Sequence, residues 1–372
     1  MVSNRKICIA TGIYPPDSGG PAKFAETFML WCQRHEVITD CVSLTNEQTH
    51  TKILGSSKIH LISRKQNLFL RYWHTIAALY RQMRSGSEIL AIGLFLETLF
   101  ASLITRSSYV CKVPGDIVWE RARNNSKTNL GVDEFQKIRL SWRYRIFRLL
   151  FSKSLRRARS VIVPSTHLFN LCLFWGVKQE NLYLVFNSID VQKFFPDENA
   201  VKTYDVLVLN RLVPWKHVDE VITACGQLNL SLVVIGDGPE KPKLERLASQ
   251  TGANITFLGE ISQNVLPDFI RRANCYVLNS SFEATSYSLL EARASGLFCI
   301  ANRNTGSEEV IHHDIDGLLC DKENYPLLSA LDRFRGDKAF VAKAQNLSVF
   351  DTGKRFNLES NFELIRGIIL NP

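Results

Sequence analysis

The residue types best suited to chemistry concentrate in one stretch, Phe282-Glu-Ala-Thr-Ser-Tyr-Ser-Leu-Leu-Glu291-Ala-Arg-Ala-Ser-Gly296. Glu283 falls in a turn after the strand-like run 275–278, and Glu291 falls inside the helical pattern that follows. In parallel α/β domains, ligands bind beyond the carboxyl ends of strands, where the next helices begin. The backbone N–H groups of Ser286, Tyr287, Ser288 and Leu289 at that helix start can hold a diphosphate, while the two carboxylates accept hydrogen bonds from sugar or ribose hydroxyls. A helix whose glutamates are merely solvated fits the same pattern. A second cluster, Asn210-Arg211-Leu-Val-Pro-Trp-Lys216-His217, also follows a strand-like run. Arg211 offers a rigid fork to phosphate oxygens and Lys216 a mobile point charge, and two cations beside a diphosphate leaving group would stabilise it as the bond breaks. Solvated surface cations remain an equal alternative.

Two glycine loops complete the set. Ser18-Gly19-Gly20-Pro21 follows the first strand-like run, and Gly236-Asp-Gly-Pro239 follows another. Gly19, Gly20 and Gly236 let a ligand approach the backbone closely. Neither loop has the spacing of a dinucleotide fingerprint or a nucleoside-triphosphatase loop.

The elements that must position these residues alternate regularly. Strand at 7–10, turn-rich loop, helix at 22–34 and strand at 36–44 open a doubly wound α/β domain, with further strands expected at 59–63, 88–92, 108–113 and 160–163. A second series has strands at 205–209, 231–235, 255–258, 275–278 and 298–301, with helical patterns at 216–227, 240–250, 264–272 and 287–295. The expected organisation is an acceptor-side domain over 1–190, a nucleotide-sugar domain over 191–353 and a C-terminal helix over 354–372. The hinge falls within 186–200, and the last helix is expected to pack back on the first domain through Phe356, Phe362, Ile365 and Ile368.

Composition narrows the classes. A chain of 372 residues, 45% hydrophobic, can bury two cores. No apolar run reaches the ~20 residues a spanning helix needs, and the basic start at 1–6 lacks the apolar core of a signal peptide. The expected location is cytoplasmic, peripheral on the inner face of the membrane. Nine scattered cysteines without a CxxC pair read as free thiols rather than disulfides or zinc ligands. The net charge of +9 is unevenly spread. Residues 1–190 hold 26 Lys/Arg against 13 Asp/Glu, or +13, and residues 191–372 hold 19 against 23, or −4.

Together these pieces resemble the retaining glycosyltransferases of family 4, which adopt the GT-B fold of two Rossmann-like domains facing each other across a cleft. The resemblance covers nearly the whole chain, and its most specific feature is the Glu-x7-Glu motif, Glu283 to Glu291. It implies Glu291 at the nucleotide ribose, Glu283 near the transferred sugar, and Arg211 and Lys216 on the donor diphosphate above Gly19 and Gly20. Thr305, Gly306 and Ser307 match a further donor-binding segment. Two departures matter: Ala284 stands where many relatives have glycine, and Pro114 stands where many carry a sugar-contacting histidine. The segment around Asp116 resembles a lineage with a Gly-Asp-x-x-Trp-Glu pattern, implying an Asp116 contact with sugar or acceptor, against a purely structural role.

The implied reaction moves a hexose-type sugar from a UDP- or GDP-linked donor to a hydroxyl of a glycan or polyprenyl-linked acceptor, with retention by front-face attack. A sugar-nucleotide epimerase, a phosphorylase or a non-catalytic binder would share the fold. Asp314-Ile-Asp316 is no convincing metal-binding DxD; no tightly bound cofactor and no metal are expected. Residues 135–159 carry nine Lys/Arg and no Asp/Glu, interleaved with aromatics and leucines, and 64–84 add five more cations. This pattern suits an anionic membrane surface. No nucleic-acid module accompanies it, so nucleic acid is not an expected partner. Docking of the basic helix on its own domain is the alternative.

Overall fold

A computed structural model describes residues 5–17, 19–303 and 305–371. The chain forms two compact units: one comprises residues up to Val185 together with those from Phe362 onward, the other Phe186–Asn361.

In chain order the first unit contains β1 (Ile7–Ala10), α1 (Gly20–Arg34), β2 (Thr39–Thr45), β3 (His50–Leu54), β4 (Ser57–Ser63), α2 (Leu68–Arg84) and β5 (Glu88–Ala91). It continues with α3 (Phe95–Thr105), β6 (Val110–Lys112), α4 (Ile117–Asn124), α5 (Val132–Lys137), α6 (Trp142–Arg157), β7 (Ser160–Val163), α7 (Thr166–Phe174) and β8 (Leu182–Leu184). Its eight strands run in the order β3-β4-β2-β1-β5-β6-β7-β8, all pairs parallel except β3–β4. The order reverses between β1 and β5, the switch point at which doubly wound sheets open a crevice. Every residue of β1 is buried, as expected of a parallel strand covered on both faces. The sequence reading missed β3, whose exposed, charged pattern lacks an apolar face, and β8, which is only three residues long.

The second unit contains β9 (Tyr204–Leu209), α8 (Val218–Leu228), β10 (Leu232–Ile235), α9 (Lys241–Thr251), β11 (Ile255–Gly259), α10 (Leu266–Arg271) and β12 (Ala273–Leu278). Then follow α11 (Tyr287–Ala294), β13 (Phe298–Asn302), β14 (Leu318–Cys320), α12 (Leu327–Gly336) and α13 (Lys338–Arg355); α14 (Leu358–Leu370) ends the described chain. The six strands are parallel in the order β11-β10-β9-β12-β13-β14. Alternate side chains point to opposite faces of a strand, and the core divides accordingly. Val206, Val208, Val234, Val277 and Ile300 enter the layer beneath α8, α9 and α12. Leu207, Val233, Tyr276, Leu278 and Cys299 enter the layer beneath α10 and α11. All nine cysteines are buried free thiols.

Within the first unit, Phe362 packs its ring 5.1 Å from Phe28 and within 6 Å of Phe24 and Trp31 on α1. No helix among the described residues is long and apolar enough to cross a membrane.

Candidate donor site in the second unit

The second sheet reverses its order between β9 and β12, so the loops leaving these two neighbouring strands flank a crevice. The loop after β9 carries Arg211 and Lys216, and the loop after β12 carries Glu283. Backbone contacts fasten the two together. The Trp215 carbonyl accepts the Ser281 N–H at 2.9 Å, and Asn279 Nδ2 donates to the His217 carbonyl at 3.2 Å. A 3-10 turn, Pro214–Lys216, ends at His217 in the left-handed region and delivers the chain into α8. Held this way, Lys216 Nζ forms an ion pair and hydrogen bond with Glu283 Oε1, both side chains largely buried. Arg211, by contrast, is exposed and makes no ion pair among the described residues.

Glycines permit the close approach. A Cβ on Gly236, whose φ is +130°, would lie 1.9 Å from the Asn210 carbonyl oxygen, so the turn after β10 seats directly against the loop after β9. At Gly306 the same addition would meet the Ala284 oxygen at 1.9 Å. The Gly306 N–H donates to the Glu283 carbonyl at 2.8 Å, and Thr305 Oγ1 caps the short turn by accepting from Ser307 N–H at 3.2 Å. Ala284 itself lies outside the left-handed region. Alanine is therefore accommodated without strain where the family resemblance favours glycine.

Glu291 lies on α11 and is 2% exposed. Burial and then the Glu291 charge push the Tyr287 hydroxyl well above its usual range. Ser288 Oγ is bracketed by Tyr276 Oη at 2.7 Å and Ser286 Oγ at 3.0 Å. No side chain caps the start of α11, and a helix amino end favours an anion. The structure thus gathers Lys216, Glu283, Ser286, Tyr287, Ser288, Leu289, Glu291, Thr305 and Gly306 on the loops and helix starts at the carboxyl ends of β9, β12 and β13. A hollow of about 770 Å³ lies elsewhere, between α8, α9 and the start of α12, where Glu220, Gln227, Arg246, Lys322 and Leu327 line it; none of the residues just named does.

One residue that sequence reasoning passed over anchors this arrangement. Arg293, two positions after Glu291, is fully buried. Its guanidinium meets both Asp316 carboxylate oxygens at 2.9 and 3.2 Å, Asp351 at 3.4 Å and Thr352 Oγ1 at 3.2 Å. Its signal was available: an arginine between alanines in an apolar helical run needs buried carboxylates. His312, Asp316 and Asp351 do bring ligand-type atoms within 4.8 Å of one another, but Arg293 already supplies the compensating cation. Asp314 pairs instead with Arg333.

Gly19, Gly20 and Asp116 belong to the first unit. Gly19 has φ +138° and precedes α1, which Gly20 begins; Ser18 lies outside the described residues. Asp116 follows β6 and is 0% exposed. Its Oδ1 accepts the Val118 and Trp119 N–H groups, capping α4, while Oδ2 accepts from Gln136 Nε2 at 2.9 Å and Arg148 Nη2 at 2.7 Å. Both oxygens are committed within the unit, so the carboxylate offers no open face to a sugar.

Residues 190–331 match the family model described as glycosyl transferases group 1. That match replaces the family-4 label drawn from the motifs. Among curated relatives, a GDP-mannose-dependent α-(1-6)-phosphatidylinositol monomannoside mannosyltransferase of Mycobacterium tuberculosis is 29% identical over 158 residues, covering 36% of this chain and 41% of that protein. The chain therefore spans about two fifths of that relative's length. Among solved structures, sucrose-phosphate synthase from Thermosynechococcus elongatus superposes with TM-score 0.80 at 17% identity, covering 98% of each chain. HepE from Anabaena, solved with UDP and glucose, gives TM-score 0.78 at 17% identity over 97% of this chain and 98% of that one. These likenesses show the GT-B fold, with its two sheet-and-helix domains.

Proposed function

We propose that the protein is a retaining glycosyltransferase that takes a hexose-type sugar from a UDP- or GDP-linked donor and transfers it to a hydroxyl of a glycan or lipid-linked acceptor. The observation that carries this reading is the Lys216–Glu283 pair at the reversal point of the second sheet, beside the buried Glu291 and the uncapped start of α11. A nucleoside diphosphate fits that chemistry. Its phosphates take Arg211, Lys216 and the first-turn N–H groups of α11, and Glu291 takes the ribose hydroxyls. Glu283 orients Lys216 and accepts from the sugar. As the anomeric bond breaks, charge builds on the leaving diphosphate, where the two cations are aimed. Glu283 is engaged by Lys216 and Glu291 by the nucleotide, so the pair does not operate as the nucleophile and acid of a retaining glycosidase. The acceptor attacks from the face the diphosphate leaves, and no metal is invoked. Asp116 acts as a positioning group for α4 and α6. The match to the family model over residues 190–331 supports the donor class, since it falls on the unit that holds these residues.

The test is a thermal-shift and transfer assay with a panel of UDP- and GDP-sugars. One donor class should stabilise the protein, and Lys216→Gln or Glu291→Gln should cut donor affinity by at least about tenfold, the equivalent of one charge-assisted hydrogen bond. Unchanged donor affinity in both variants would remove the assignment.

We also propose peripheral binding to an anionic cytoplasmic membrane face through residues 135–159. Trp142 is 68% exposed, and Ile146 and Leu149 are exposed among the cations of α6. Flotation with anionic vesicles should fall steeply as salt rises; absence of binding at every salt concentration would refute it.

A further inference from the structure

The loop that carries Glu283 has no regular secondary structure to take up its backbone carbonyls, and buried carbonyls must find donors. Within 280–285 they do so separately. The Ser280 carbonyl accepts from Asn302 Nδ2 at 3.2 Å, and the Phe282 carbonyl accepts from Ser280 Oγ at 2.8 Å. The Glu283 carbonyl takes the Gly306 N–H. These donors sit at the carboxyl ends of β12 and β13. The Thr285 carbonyl is different, because its donor is Asn187 Nδ2, at 2.7 Å and 98 residues away along the chain.

Asn187 lies among the first residues of the second unit, which begins at Phe186 and ends at Asn361. There the entering and leaving segments are fastened to each other. Ile189 bridges Asn357 in parallel register. The Ile189 N–H donates to the Phe356 carbonyl at 2.8 Å, and the Leu358 N–H donates to the Ile189 carbonyl at 3.2 Å. Asn361 Nδ2 donates to the Phe186 carbonyl at 3.3 Å, and the Phe186 and Phe356 rings meet edge to face at 5.5 Å. The leaving segment has its own link to the donor loops. Arg355, at the end of α13, stands over the Phe356 ring at 4.8 Å, pairs with Asp351 at 3.1 Å and donates from Nη2 to the Glu309 carbonyl. Glu309 closes the turn that begins at Gly306, the same turn that is bonded to the Glu283 backbone.

We infer that Asn187 and Arg355 are positioning residues of the donor site: from the paired ends of the second unit they hold the 283–286 loop and the 306–309 turn, and through these they set Glu283 and the amino end of α11. Side-chain donors to buried carbonyls fix a backbone path where no ladder does so. A loop held in this way loses less freedom when a ligand binds. The link is reciprocal, so a ligand that orders the loops also orders the paired ends. The inference rests on the donor-site reading above and adds to it the residues that keep its loops in place.

The experiment combines amide hydrogen exchange on the full chain with steady-state transfer. In the unliganded protein, Asn187→Ala should speed exchange over 281–290 while the amides of β9 and β10 keep their wild-type rates. In wild-type protein, the UDP- or GDP-sugar that stabilises it should slow exchange at 186–189 and 355–361 as well as in the two loops; this arm needs no variant. Asn187→Ala should raise the donor KM at least about threefold, the loss of one hydrogen bond, with a smaller effect on kcat. Asn187→Asp keeps the side chain's size but cannot donate, so it should do at least as much harm. Arg355→Lys keeps a donor for the Glu309 carbonyl and should retain more donor affinity than Arg355→Met. Three results would each overturn the inference: wild-type exchange over 281–290 in Asn187→Ala, a wild-type donor KM in Asn187→Asp, or no slowing at the paired ends when donor binds. If no UDP- or GDP-sugar stabilises the wild-type protein, the donor reading falls by itself, and the unliganded exchange comparison still decides whether Asn187 holds the loop.

Discussion

Gly306 has no room for a methyl group, because the Ala284 carbonyl oxygen would lie 1.9 Å from it. Gly306→Ala must therefore push the 305–307 turn away from the Glu283 backbone. Overpacking of this kind costs about 1–3 kcal/mol, so the variant should unfold at lower temperature and bind donor more weakly, both readable in one thermal-shift titration. The need for glycine came to the sequence reading only through family resemblance, since a close approach between segments distant in sequence leaves no local pattern. Asp116 shows the converse. Its place after a strand was legible, but its commitment to the α4 cap and Arg148 depends on a partner 32 residues away. Lys112 was not singled out at all. Burial pulls its ammonium down to about 7, whereas an exposed lysine in the unfolded chain titrates near 10.4. Between those values the unfolded state holds the extra proton, so stability rises with pH across the window; below it the full cost of burying the charge is present. Urea unfolding from pH 6.5 to 9.5 should show that rise, and Lys112→Met should flatten it. Equal slopes in the two proteins would exclude a depressed lysine.

At the scale of elements, α11 is the part on which the proposed donor site turns. It presents Glu291 and an uncapped amino end, and Arg293 ties it to α13 and to the loop holding Asp316. The Arg293 guanidinium and neighbouring groups hold the Asp316 carboxyl below its usual range, against the opposing effect of burial. Removing the cation leaves that carboxylate buried and unpaired, a loss of about 3–5 kcal/mol. Arg293→Met should lower the denaturation midpoint accordingly and raise the donor KM more than it lowers kcat. A drop in stability with an unchanged donor KM would limit Arg293 to a scaffold role. The alternation of strand and helix that builds this unit was readable because each parallel strand is a near-continuous apolar run. Short strands such as β14 and β8, three residues each, carry too few positions for any period to show.

For the whole molecule, charge and chain path make separate demands. The +13 of residues 1–190 and the −4 of residues 191–372 were visible in composition, but the packing of α2 on α3 and of α3 on α6 required the fold. The residues from Phe362 onward belong to the first unit although the second unit lies between them and Val185. Phe362→Ala empties a site against Phe24, Phe28 and Trp31, at a cost of about 3–5 kcal/mol. In calorimetry the transition of the first unit should move to lower temperature and that of the second should stay. Movement of the second transition alone would contradict the division.

That same path sets a timetable for biosynthesis. A ribosome must finish residues 186–361 before the helix that covers the aromatic patch of α1 exists. Those 176 residues take roughly 10–35 s at typical elongation rates. Throughout that interval the nascent first unit carries Phe24, Phe28 and Trp31 without their native cover. It is thus a natural client for ribosome-associated chaperones, while the second unit can mature as soon as its own last helix emerges.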